Sequence, residues 1–234
     1  MKAIFKREFK AYFQSMPGYV FLTIFMVLSG YIFCATNISY ATSTMTPYFS
    51  SMVSAIIFII PVLTMRLFSE DRKTKTDQLL ITAPISITEM VLGKFFAAVA
   101  AFLVGVAVTL LYPIIMSFYG KVPFAENCSA YIGFILFCAS IISIGAFMSA
   151  ITESQVIALI STYGVVILTI VINWVAQTIG NSAVSKVLLW VSPTNKFTDF
   201  TMGVLNIESI IYYLSLIAVF LFLTVRVFEK RRWN

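Results

Sequence analysis

Six stretches of this chain, each close to the length needed to cross a bilayer, hold no Lys, Arg, Asp or Glu in their central parts: residues 17–36, 48–65, 91–118, 131–151, 155–176 and 209–225. A helix needs about 20 apolar residues to span hydrocarbon. A charge at mid-bilayer costs roughly 2.5–3.5 kcal/mol on insertion scales, which accounts for the gaps in the charge pattern. The residues are 60% hydrophobic and 11% charged. Soluble domains run at about 45–50% and about 25%, so a soluble fold is excluded and the surface must face lipid. The sequence therefore predicts an all-α integral membrane protein, one domain over residues 1–234, with six transmembrane helices. The first stretch is expected to stay as a span. Its charged lead-in is long, its apolar run is full length, and no small-x-small cleavage site follows.

The cations are sorted between the spans. Thirteen of the 16 Lys and Arg fall in the N-terminal segment (Lys2, Lys6, Arg7, Lys10), around the second connection (Arg66, Arg72, Lys73, Lys75, Lys94) or in the tail (Arg226, Lys230, Arg231, Arg232). Lys121, Lys186 and Lys196 fall in the alternate connections. The positive-inside rule assigns the thirteen to the cytoplasm, with both termini there. Basic clusters set between apolar runs also argue against nucleic acid as the partner of the +6 net charge.

Between the spans, residues 1–16 read as an amphipathic interfacial helix. Phe5, Phe9, Tyr12, Phe13 and Met16 share one face, and Lys6, Arg7 and Lys10 the other. Such a helix is either a lipid anchor or an elbow that also touches a cytoplasmic partner. Pro17 and Gly18 are expected to break it. In the second connection, residues 69–77 are dense in mixed charge, Leu79, Leu80 and Ile81 form a short apolar cluster, and Pro84 stops any helix. Ser86 and Glu89 have capping-box spacing for the third span. This segment is either a docking element or a solvated loop. Gly93, Ala97, Ala101 and Gly105, four residues apart, make a groove for another helix, within the chain or across a dimer. Tyr112 and Pro113 predict a kink, and Thr152–Ser154 a tight hairpin. The apolar connection before the last span includes Val184, Val187, Leu188, Leu189, Trp190, Val191, Phe197, Phe200 and Met202. It is too short and interrupted to cross, so short helices dipping into the outer leaflet are expected. Asn173 and Gln177 read as helix–helix hydrogen-bonding groups, and Asn206 as a cap for the last span.

Catalytic and metal residues are none. The chain has no histidine, and its three cysteines cannot build a four-ligand zinc site. There is no GxxxxGK[ST] loop, because Gly93-Lys94 lacks the upstream glycine and the following hydroxyl. Nor do the spans carry the acids or histidines with which ion-coupled carriers relay charge. Energy for transport is therefore expected from outside the chain. A secondary carrier and a non-transporting mechanical relay remain as alternatives.

The stretch LTMRLFSEDRKTKTDQLLITAPISITEMVLGKFFAA, residues 63–98, resembles permease subunits of the type-2 ABC transporter family through Glu70, Asp71, Arg72, Lys73, Thr76, Leu79, Leu80, Thr82, Pro84, Gly93 and Lys94. Where that pattern has a glycine before the threonine, this chain has Lys75. The later SPTNKFTDFTMGVLN and the ending LFLTVRVFEKRRW resemble the gliding-motility branch, which often has histidine at the place of Lys196. The resemblance implies a prokaryotic cytoplasmic-membrane subunit paired with a second permease. A separate ABC ATPase dimer would bind ATP and Mg and contact a coupling helix around Asp77–Thr82. It also implies extracytoplasmic re-entrant helices before the last span and an accessory membrane protein with an outer domain.

The charge pattern makes a topological prediction. Thiol labels placed beside Lys73 and beside Lys230 are expected to react from the same face of the membrane. Labelling from opposite faces would overturn the six-span arrangement.

Overall fold

The computed structural model of the chain describes residues 1–14, 16–76, 86–118, 120–179, 185, 189–190 and 192–233, without the side chains of Pro17 and Trp233. Among the described residues every regular element is helical. Helix α1 (Lys2–Gln14) precedes α2 (Met16–Phe33), which continues as one π-helical turn, Cys34–Ile38. Then come α3 (Thr46–Thr64), the short α4 (Ser69–Lys73), α5 (Ile87–Thr109) and α6 (Leu111–Ser117). The chain closes with α7 (Phe124–Ile151), α8 (Gln155–Ile179), α9 (Pro193–Thr201) and α10 (Ile207–Trp233).

Six helical segments are long and apolar enough to cross a membrane: Gly18–Ile38, Thr46–Lys73, Ile87–Ser117, Phe124–Ile151, Gln155–Ile179 and Ile207–Arg232. Each overlaps one apolar stretch of the sequence, and most run past it. Backbone hydrogen bonding continues a helix after the apolar side chains stop. Capping then marks the true ends. Ser86 Oγ accepts from Glu89 N–H at 3.2 Å to start α5, and Asn206 Oδ1 accepts from Glu208 N–H at 3.1 Å to start α10.

The elbow differs from expectation at one point. Pro17 and Gly18 do not separate α1 from α2; both lie in the first turn of α2. Proline suits a first helical turn, where its missing N–H has no partner to lose. Gly18 is needed because the backbone of Tyr12 packs against its Cα, where a Cβ would collide with the Tyr12 carbonyl.

Helix α7 is the mast of the bundle, packed by α3, α8, α9 and α10. Its most apolar window is 72% buried, against 17% for α8 and for α10. The reason lies in its small side chains. Ser140, Ser143, Gly145, Ala146, Ser149 and Ala150 are all buried, so neighbouring backbones come close. Lipid supplies no hydrophobic drive between helices, so close packing and hydrogen bonds must hold them. Rings fill the remaining space. Phe25 of α2 meets Phe102 of α5 edge-on at 5.9 Å. Phe102 and Phe49 of α3 both meet Phe134 of α7, at 5.8 and 5.4 Å.

The expected break at Tyr112–Pro113 is present, with α5 ending at Thr109 and α6 starting at Leu111. Pro113 has no N–H to offer the Thr109 carbonyl. Tyr131 of α7 donates to that carbonyl instead, at 2.8 Å. Tyr112 itself stacks on Phe33 at 4.3 Å and shares a hydrogen bond with Ser29, 3.0 Å away. Its role is therefore packing between α2 and α6. Toward the other connection, Pro193, Phe197, Phe200 and Thr201 of α9 are buried, so these aromatics of the apolar connection before the last span pack on α7. Val184, Val187, Leu188 and Val191 lie outside the described residues.

Gly145 measures how tight the mast is. A methyl there would collide with the Thr64 side chain of α3, whereas one at Gly164 of α8 would meet nothing within 4 Å. We expect Gly145→Ala to lower stability by about 1–3 kcal/mol through overpacking. Gly164→Ala should be neutral or gain about 0.5–1 kcal/mol from helix propensity. Unfolding of the two detergent-purified variants checks this; equal shifts would contradict the packing.

Candidate functional site

The turn after α3 lies at the end of the bundle where α1, the start of α5 and the end of α10 meet. Helix α3 closes as Met65 N–H bonds to Pro61 O at 2.9 Å, and residues 65–68 then bend into α4. A buried turn must find partners for its backbone N–H groups. Here Ser149 of α7, fully buried, accepts from both Phe68 N–H and Ser69 N–H at 3.0 Å. It donates to Met65 O at 3.2 Å. One hydroxyl therefore fixes the turn to the mast.

Charges tie the same turn to the other helices. The Lys94 ammonium of α5, 2% exposed, lies 2.6 Å from an Asp71 carboxylate oxygen and 3.3 Å from one of Glu8. It donates to Leu67 O at 2.8 Å and stands 5.4 Å from the centre of the Phe68 ring. Arg7 pairs with the other oxygen of Glu8 at 2.6 Å, so two cations balance two acids. Arg66 bonds to Gln155 of α8 at 3.3 Å. Arg72 reaches Ile151 O, at the end of α7, and Glu153 at 2.9 Å. From the other side Arg231 of α10 donates to Ala150 O at 2.6 Å. Two arginines from distant segments thus occupy the carbonyl end of α7, where free carbonyls and the helix dipole favour cations.

A cavity of about 450 Å³ opens between α1 and α4, walled by Arg7, Tyr12, Arg66, Glu70 and Thr74 among others. Tyr12 donates to Leu63 O at 3.4 Å. Desolvation, reinforced by the carboxylates of Glu8 and Glu70, pushes its phenol well above the ordinary value, so it stays a neutral donor.

The sequence-predicted residues are distributed as follows. Glu70, Asp71, Arg72 and Lys73 form α4, and Thr76 donates to Asp71 at 3.2 Å. Asp77, Leu79, Leu80, Thr82 and Pro84 lie outside the described residues. On α1, Phe5, Phe9 and Phe13 form a ladder with ring centres 5.8 and 4.9 Å apart, while Lys6, Arg7 and Lys10 are exposed. On α5, Gly93 lies under Ile4 of α1, and Gly105 under Phe25 of α2. Ala97 and Ala101 between them are buried. The stripe therefore seats helices of its own chain.

Reading α1 as two faces missed a third. Ile4, Glu8 and Tyr12, four residues apart, turn toward the bundle, with Ile4 on Gly93, Glu8 on Lys94 and Tyr12 on Leu63. The available signal was one acid in a cationic helix, at helical spacing from two apolar side chains. Arg231 and Glu153 carried no local signal at all. At the other end, Asn173 donates to Thr194 of α9 at 2.6 Å and so joins two helices, whereas Gln177 donates to Asn173 of its own helix at 3.1 Å.

Among the described residues no group of His, Cys, Asp or Glu has an arrangement that could hold a metal ion. The site is a junction: residues 65–76 are bonded to α5, α7 and α8 and share the Lys94 cation with Glu8 of α1, immediately before residues 77–85. The family model described as ABC-2 family transporter protein matches residues 3–233. No curated protein matches the chain.

Lys75, which stands where the resembling pattern has glycine, adopts φ +58°. That left-handed conformation costs a side-chain-bearing residue roughly 1–2 kcal/mol. We expect Lys75→Gly to steady the turn and Lys75→Val to loosen it, read as slower and faster amide exchange over residues 72–76. The reverse order would contradict the turn geometry.

Proposed function

Because the chain belongs to the ABC-2 transporter family, we propose that it is the membrane-spanning permease subunit of a particular kind of assembly, one driven by a separate ABC ATPase dimer. The observation that carries this reading is the junction at residues 65–76. A push on residues 77–85 enters through Thr76 and Asp71. It reaches α5 and α1 through Lys94, α7 through Ser149 and Arg72, and α8 through Arg66. Packed side chains and charge pairs joining rigid helices are the physical means by which a displacement crosses a protein.

In this mechanism ATP and Mg bind on the ATPases, which close on each other. Asp77, Leu79, Leu80, Thr82 and Pro84 belong to the coupling segment on which they act. Glu70, Asp71, Arg72, Lys73 and Thr76 pass the motion to the spans. A second permease, identical or homologous, completes the pathway, and the cargo moves between the two. The helix α1 lies at the cytoplasmic interface with its Phe5, Phe9 and Phe13 ladder toward lipid, and both termini are cytoplasmic in a prokaryotic cell membrane. The gliding-motility branch, and with it an accessory membrane protein bearing an outer domain, is the finer assignment that the sequence resemblance supports.

Affinity purification of the full chain, co-expressed with ABC ATPases of its own genome, tests this. An ATPase is expected to co-purify, and Leu80→Asp to cut its recovery by at least about tenfold, the effect of losing a central apolar contact, without changing the unfolding temperature of the chain. Recovery of no ATPase, or full recovery with Leu80→Asp, would overturn the reading.

A further inference from the structure

Lys94 poses a problem in electrostatics. It sits two turns into α5 with 2% of its surface exposed, where an unmatched ammonium would be expensive. Carboxylate oxygens of Asp71 and Glu8 lie within ion-pair distance of it, and it donates a hydrogen bond to Leu67 O. Only one of these elements is its neighbour in sequence. Glu8 arrives from α1 and Asp71 from α4, and the two carboxylates share this one buried cation. Without it they would be two acids facing each other at a half-closed site, with 16% and 23% of their side-chain surface exposed.

We propose that Lys94 is a positioning residue that locks α1 to α4, so that the two move as one body on α5. Ile4 is the one fully buried residue of α1, with Tyr12 partly buried against the core, and the charge pairs decide whether that contact stays closed. In contrast, α3, α5 and α7 are held by rings and hydroxyls away from Lys94, so opening the lock frees α1 and leaves the bundle folded. Lys6 and Lys10, also on α1, are exposed, and among the described residues neither pairs with Glu8 or Asp71. They carry charge without holding the helix.

Ile4→Cys, in a chain with its three native cysteines replaced, reports the seat of α1. Its thiol is expected to react slowly with a maleimide in reconstituted vesicles. Lys94→Met and Glu8→Gln should each speed labelling by at least about tenfold, the order expected for breaking a buried pair. Lys6→Gln, which removes an α1 charge outside the lock, should leave the rate within about twofold. Glu8→Gln keeps the Lys94–Asp71 pair, so it covers the case in which Lys94→Met fails to fold. Labelling of Glu8→Gln within about twofold of the parent, or Lys6→Gln labelling as fast as Glu8→Gln, would overturn the lock.

The further claim, that α1 follows α4 when the coupling segment is pushed, rests on the function proposed above and has its own readout. In the chain assembled with its ATPase, the distance between spin labels at Lys10→Cys and Met202→Cys should shift on adding ATP and Mg in the parent and stay fixed with Glu8→Gln. A shift that persists with Glu8→Gln would overturn the coupling. Failure of any ATPase to assemble would overturn the proposed function alone, because the labelling experiment needs no ATPase.

Discussion

A buried ammonium and the two acids that meet it organise one end of this molecule. Lys94 is carried into the bundle by α5, a helix otherwise apolar enough to cross a membrane. In a low-dielectric setting the pairing of such a group is close to obligatory. Two segments distant in sequence, α1 and the turn into α4, meet on α5 through Lys94. The same turn is then pinned by Ser149, whose hydroxyl satisfies two buried N–H groups, and by Arg72 at the carbonyl end of α7, an end that Arg231 of α10 also reaches. The junction combines these polar ties with the buried Leu67 and Phe68 and sits where the chain leaves the apolar part of its helices.

The rest of the bundle follows a different rule. Along α7 small residues let α3 approach until Thr64 occupies the space beside Gly145. Phenylalanine and tyrosine rings from α2, α3 and α5 fill the volume farther along. Where proline removes a donor, at Pro113, a tyrosine from another helix restores the hydrogen bond. Each device replaces the hydrophobic drive that lipid does not provide with contact area or a hydrogen bond. Helix α1 is tied on by Ile4 against Gly93, the Tyr12–Leu63 hydrogen bond and the Glu8–Lys94 pair.

Much of the architecture was legible in the residues. The six apolar stretches, the Ser86 and Asn206 caps, the break at Pro113 and the tight turn at residues 152–154 depend on side chains a few positions apart. The amphipathic reading of α1 was legible only in part. Phe5, Phe9 and Phe13 stood out as aromatic, but Glu8 was hidden among cations because its partner lies in α5, 86 positions away. The elbow was expected at Pro17 and Gly18, which instead lie in the first turn of α2, since the rule that proline and glycine end a helix competes with the rule that proline opens one. Lys75 is the opposite case. Its departure from the family pattern marked a position needing left-handed backbone, and the chain adopts that backbone without the glycine.

Partition between hydrocarbon and water acts on each segment separately, so the sequence by itself determined which segments are apolar helices, where they are interrupted, and where the cations collect. Membership in a permease family also rests on the order of residues along the chain. The pairing of Lys94 with Glu8 and Asp71, the use of Ser149 as a cap, and the meeting of Arg72 and Arg231 at one helix end were decided only by the tertiary structure. These contacts join positions far apart in sequence. Which acid reaches a buried cation depends on how the helices pack, and no local property of either residue encodes that.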